Sequence, residues 1–149
     1  MGACSKSDEE IELKFTTERD GLVYKIDDDT PFTGIIYELN KWKTRQSEQS
    51  YKNGKLNGFS KILFTGTSEA VFSEINYKDG EYHGAFTQYY PLGQKSLEGN
   101  HINGKPSGLW TQWNNFGKII LKGHWKDGIR VGTWQIWNDN LQALQTVQY

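Results

Sequence analysis

One cysteine, Cys4, and three prolines in 149 residues set the first limits. A lone thiol excludes an internal disulfide framework and any zinc site built on several thiolates. Leu, Ile, Val and Phe together number 33, close to the lower limit for a packed core, so a thick two-layer globule is not expected. No run approaches the roughly 18 consecutive apolar residues of a membrane-spanning helix, because charges or glycines break every stretch. A net charge of −1 and a pI near 6.3 lack the basic excess of a dedicated nucleic-acid binder. That average conceals a split: residues 1–31 hold 4 basic and 9 acidic side chains, whereas residues 32–149 hold 13 and 9.

Rings and glycines are plentiful: 7 Phe, 8 Tyr, 6 Trp and 16 Gly. Disordered chains are poor in aromatics and dominated by one sign of charge, so this composition points to a thin, glycine-punctuated β protein. The glycines are periodic. Asn53-Gly54-Lys55-Leu56-Asn57-Gly58, Asp79-Gly80-Glu81-Tyr82-His83-Gly84, Asn103-Gly104-Lys105-Pro106-Ser107-Gly108 and Asp127-Gly128-Ile129-Arg130-Val131-Gly132 repeat one pattern, with first glycines 26, 24 and 24 residues apart. Three further columns keep the period: Tyr51, Tyr77, His101, Trp125 and Tyr149; Ile36, Ser60, Phe86, Trp110 and Trp134; Leu39, Leu63, Tyr89, Trp113 and Trp137.

Each unit reads as two extended runs around a polar break, as in Leu109–Trp113, Asn114–Gly117 and Lys118–Trp125, which is the pattern of a β-hairpin. Asn/Asp-Gly supplies the positive φ needed to connect one hairpin to the next. The expected fold is therefore all-β, a single elongated antiparallel meander of ten strands without a helix. The expected units are 34–57, 58–83, 84–107, 108–131 and 132–149, behind a disordered acidic tail (1–18) and a capping segment (19–33). Isolated hairpins are marginal, so stacking must stabilise the array, and the Trp-rich C-terminal half should be the stronger.

The unit, aromatic-x-Asn/Asp-Gly-x-x-x-Gly-x-Trp/Phe-x-x-Tyr/Trp, resembles the MORN-type repeat in the variant form of bacterial YwqK-family antitoxins. Arg19-Asp20-Gly21-Leu22-Val23-Tyr24 followed by Pro31-Phe32-Thr33-Gly34 is similar to the segment preceding the repeats in that family. The sequence departs from the pattern at Ser60 and in the polar break Asn40-Lys41-Trp42-Lys43-Thr44-Arg45-Gln46. The resemblance implies a single sheet of stacked hairpins, no catalytic activity, and protein binding of the antitoxin or immunity kind, with a toxin as one candidate partner. Members of the wider repeat class are discussed as scaffolds and membrane-contacting modules.

Met1-Gly2-Ala3-Cys4 reads as the vestige of a bacterial lipobox, with Cys4 as the lipidation site and Ser5-Lys6-Ser7-Asp8-Glu9-Glu10 as an acidic tether. On that reading the chain is an envelope lipoprotein whose aromatic face binds glycan or membrane; otherwise it is cytoplasmic. The catalytic reading is weaker. His101 fills a ring column, His124 lies one residue before another, and His83 sits in a connection, so no metal site or cofactor is expected. Glu74, Glu98 and Asp127 hold unrelated repeat positions, and no nucleophile elbow or phosphate loop is present. The basic stretch Lys41, Lys43, Arg45, Lys52, Lys55 and Lys61 reads as a solvated sheet edge, with an acidic partner or Asp27-Asp28-Asp29 as alternatives. A single sheet leaves one face in need of a partner, and Trp and Tyr are frequent hot spots. The expected contacts are therefore Trp110, Trp113, Trp134, Trp137, Tyr89 and Tyr90.

Overall fold

The computed structural model describes residues 9–65, 70–138 and 140–149; Cys4 lies outside them. Thirteen strands are formed among the described residues: β1 (Glu10–Glu12), β2 (Thr16–Arg19), β3 (Leu22–Lys25), β4 (Gly34–Leu39), β5 (Arg45–Lys52), β6 (Lys55–Leu63), β7 (Val71–Lys78), β8 (Glu81–Tyr89), β9 (Lys95–Ile102), β10 (Lys105–Trp113), β11 (Ile119–Lys126), β12 (Ile129–Asn138) and β13 (Ala143–Gln148). β4 to β13 follow one another in chain order as one open antiparallel meander, the ten strands anticipated from the repeats. Among the described residues the only helical element is a 3-10 turn, Leu13–Phe15.

The N-terminal expectation needs correction from Glu9 onward. β1 docks parallel on β4, and β2 pairs with β3, so residues 9–18 are built into the fold. Their acidic side chains find cations: Glu9 meets Lys25, and Arg45 bridges Glu10 at 2.5 Å and Glu48 at 2.8 Å. The basic stretch 41–61 is accordingly no edge, because β5 and β6 are interior strands. Arg45 meets Glu10 and Glu48, while Asp29 pairs with Arg19.

The two long margins of the ribbon carry different turns. At one, the tight margin, Asn53-Gly54, Asp79-Gly80, Asn103-Gly104 and Asp127-Gly128 are themselves two-residue hairpin turns with both central φ positive, as at Asn103 (49°) and Gly104 (75°). This backbone matches the twist of paired strands, which is why Asn/Asp-Gly recurs there. Each turn also docks on the unit before it. The N–H groups of Gly54, Gly80, Gly104 and Gly128 donate to the carbonyls of Phe32, Leu56, Tyr82 and Pro106 at 2.8, 2.8, 2.9 and 3.1 Å. Phe32, 3% exposed, thus serves the first repeat as Leu56 serves the second.

At the opposite, wide margin the turns are longer. Gly93 and Gly117 donate to Tyr90 and Asn114 at 2.8 and 2.9 Å, closing type I turns whose last residue is left-handed. The polar break after Asn40 is the same device, with Lys43 at φ 61° in the glycine position and Asn40 Oδ1 accepting from Trp42 N at 2.9 Å. It is not an irregularity. The two-residue insertion instead falls in the turn between β6 and β7, which Phe64 N closes onto Ala70 O at 2.8 Å.

Candidate functional site

Just beyond every tight turn the register slips, so that four residues of one strand span two of its neighbour: Ser107 and Thr111 face Asn100 and Glu98, and Val131 and Gln135 face His124 and Lys122. Such a bulge bends the strand and releases a carbonyl from the ladder. The indoles use it. Trp110 Nε1 donates to Asn100 O and Trp134 Nε1 to His124 O, each at 3.2 Å. Each indole then lies flat on a backbone without Cβ, Trp110 over Gly99 and Trp134 over Gly123, where an added methyl would fall 2.2 and 2.1 Å from the ring. Phe86, the smaller ring of the same column, faces Ile75 instead. Ring size and seat size therefore vary together from unit to unit.

The ring column is interleaved with fillers from the strands between its members. Residues directly across the tight turns, Leu56, Tyr82, Pro106 and Arg130, stand opposite Tyr51, Tyr77, His101 and Trp125. Tyr82 lies 5.0 Å from Tyr77 and 5.1 Å from His101, and His101 meets Trp110 edge-on at 5.0 Å. In the last unit the filler is a cation. The Arg130 guanidinium sits 5.5, 4.6 and 5.3 Å from the rings of Trp125, Trp134 and Tyr149, and donates to the Tyr149 hydroxyl at 2.9 Å. This spine buries Trp134 completely and Trp110 to 8% exposure without a second layer. Where Ser60 replaces the ring, the buried hydroxyls of Ser60 and Ser73 have no protein partner.

The six expected contact residues do not share a face. Trp110 and Trp113 lie three apart in β10, so by alternation their side chains leave the sheet on opposite sides, as do those of Trp134 and Trp137 in β12. Trp110 and Trp134 belong to the buried spine and offer no surface, which corrects their assignment as contacts. Tyr89, Trp113 and Trp137 share the other face and remain half-buried, next to the wide margin. Tyr89 donates to Glu74 Oε2 at 2.7 Å, Tyr90 reaches Trp113 O at 2.9 Å, and Lys118 Nζ stands 3.1 Å from the Trp137 ring centre. Burial and the Glu74 hydrogen bond push the Tyr89 phenol up to about 12. Inward of this column runs a polar row, one residue per strand: Tyr37, Glu48, Lys61, Glu74, Thr87, Glu98, Thr111 and Lys122.

Among the described residues no three His, Cys, Asp or Glu converge on one point. His101 is 8% exposed within the spine, and burial holds it below the ordinary imidazole value. His124 lines a shallow recess of about 230 Å³ with Leu109 and Lys122. The larger concavities are notches between successive wide turns. One, about 540 Å³, is lined by Asn40, Lys41, Trp42 and Thr65, and the other, about 470 Å³, by Ala70, Val71, Tyr89 and Leu92.

The tips of those turns are a feature the sequence reading passed over. Trp42, Leu92 and Phe116 occupy the same turn position, and Leu141 sits in the last turn; they are 60, 87, 87 and 61% exposed. The available signal was an apolar residue at the third position of three of the breaks, Trp42, Leu92 and Phe116. No family model matches the chain, and no curated protein matches it either.

Proposed function

We propose that the chain is a non-enzymatic, MORN-type protein-binding module that acts by covering its partner's working surface, in the manner of an antitoxin or immunity factor. The observation supporting this reading is the column Tyr89, Trp113 and Trp137. It lies beside the exposed turn tips on a sheet face that no second layer of described residues covers. Half-exposed Tyr and Trp on a rigid sheet lose little side-chain entropy on docking and are frequent hot spots. The spine makes the sheet rigid, while the opposite face keeps the rings that a partner can bury. The mechanism is steric, with a partner losing access to its own surface once the ribbon lies across it.

Co-expression with the products of neighbouring genes tests the reading. The expected result is a stable complex with one of them, together with relief of its toxicity. Trp113→Ala combined with Trp137→Ala should weaken that complex at least tenfold, the scale of hot-spot truncation. Absence of both complex and rescue contradicts the antitoxin reading.

A further inference from the structure

Folding does not require an apolar residue at the third position of a wide turn. That position accepts most residues, and at 87% exposure Leu92 and Phe116 bury almost nothing. Yet Trp42, Leu92 and Phe116 all stand there, and Leu141 stands one position later in the last turn. By sequence these turns carry four lysines, Lys41, Lys43, Lys95 and Lys118, and two acids, Glu69 and Asp139, in a chain whose net charge is −1; Lys95 pairs with Glu98, and Lys118 lies over the Trp137 ring. We infer that the wide margin at Leu92 and Phe116 is a docking surface for an acidic amphipathic helix of a protein partner.

Spacing and twist select that occupant. Adjacent wide turns are two strands apart, about 9.6 Å, and a helix repeats its apolar stripe every seven residues, about 10.5 Å. One helix laid along the margin can therefore meet Leu92 and Phe116 in register, its carboxylates reaching Lys118 and joining Glu98 at Lys95. An extended strand covers the same distance in about three residues, whose side chains alternate faces and cannot both meet the tips. A bilayer is flat, whereas sheet twist generally turns each strand roughly 20–25° from the last, which makes a twisted margin a poor match for a flat surface. This inference rests on the protein-binding reading and names the partner's chemistry.

The test uses the full chain and a synthetic Glu-rich helical peptide with leucines repeating every seven residues, read by fluorescence anisotropy. The expected result is saturable binding that weakens with added salt. It should fall at least tenfold for Leu92→Ser/Phe116→Ser and be lost when the same leucines repeat every five residues. Failure of the peptide to bind, or equal binding of the variant or of the shifted peptide, overturns the inference. So does binding to vesicles of phosphatidylcholine and phosphatidylserine in place of the peptide. Co-purification separates the two claims. A neighbouring-gene partner held equally by wild type and Leu92→Ser/Phe116→Ser leaves the protein-binding reading standing and removes this docking surface, whereas a partner held by neither form removes the reading itself.

Discussion

At the tight margin every turn centre is Asn or Asp followed by Gly, while the wide-margin tips are Trp42, Leu92, Phe116 and Leu141. The tight turns are dictated by geometry: two successive positive φ values, and a glycine N–H that must reach the carbonyl of the preceding unit. They also adjoin the bulges that seat Trp110 and Trp134, so backbone, hydrogen bonds and core depend on one another there. The wide turns need only a left-handed last residue, which even Lys43 supplies. What stands at their tips is free of that demand, and the proposed docking surface is drawn from its apolar character.

The contrast can be broken by substitution, and the largest effect should come from the spine. Trp134→Ala removes a fully buried indole and leaves Gly123 bare, so a loss of about 3–5 kcal/mol is expected from urea unfolding. Gly104→Ala at a tight turn forces a side chain into φ 75° and should cost about 1–2 kcal/mol by the same measurement.

A smaller effect is expected from pH. Burial lowers His101, whose ordinary value is 6.5. Well above that value both folded and unfolded chains are neutral there. Below it the unfolded chain takes up a proton that the folded chain resists, so stability should fall as pH drops from 6.5 towards the folded value. Unfolding midpoints at about pH 7.5 and 5.5 should differ in that direction, and His101→Phe should reduce the difference. The smallest effect belongs to the wide margin. Lys43→Gly relieves a left-handed lysine but frees the unfolded chain, for a net gain of about 0.5 kcal/mol.

Much of this architecture was legible from period alone. The glycine spacing located all ten meander strands and every tight turn, because Asn/Asp-Gly has a backbone requirement that few other residues meet. The faces were legible but misread: Trp110 and Trp113, three apart in a strand, belong to opposite sides by simple alternation. Gly99 and Gly123 carry no local mark of their role as ring seats, which depends on a neighbour eleven residues away in sequence. The docking of Glu10 against Arg45 joins residues 35 apart and leaves no local pattern, so an acidic stretch read as a tail. Nothing in the sequence around Arg130 marks it as the cation that three rings surround.

The account's central claim is that the tight margin and its ring spine hold the fold, leaving the wide-margin tips available to a partner. Equilibrium urea unfolding of Leu92→Ser/Phe116→Ser tests it most directly. The predicted stability lies within about 0.5 kcal/mol of the parent chain with an unchanged m-value. A loss of several kcal/mol, approaching that of Trp134→Ala, would show that the tips serve the fold, and would contradict the account.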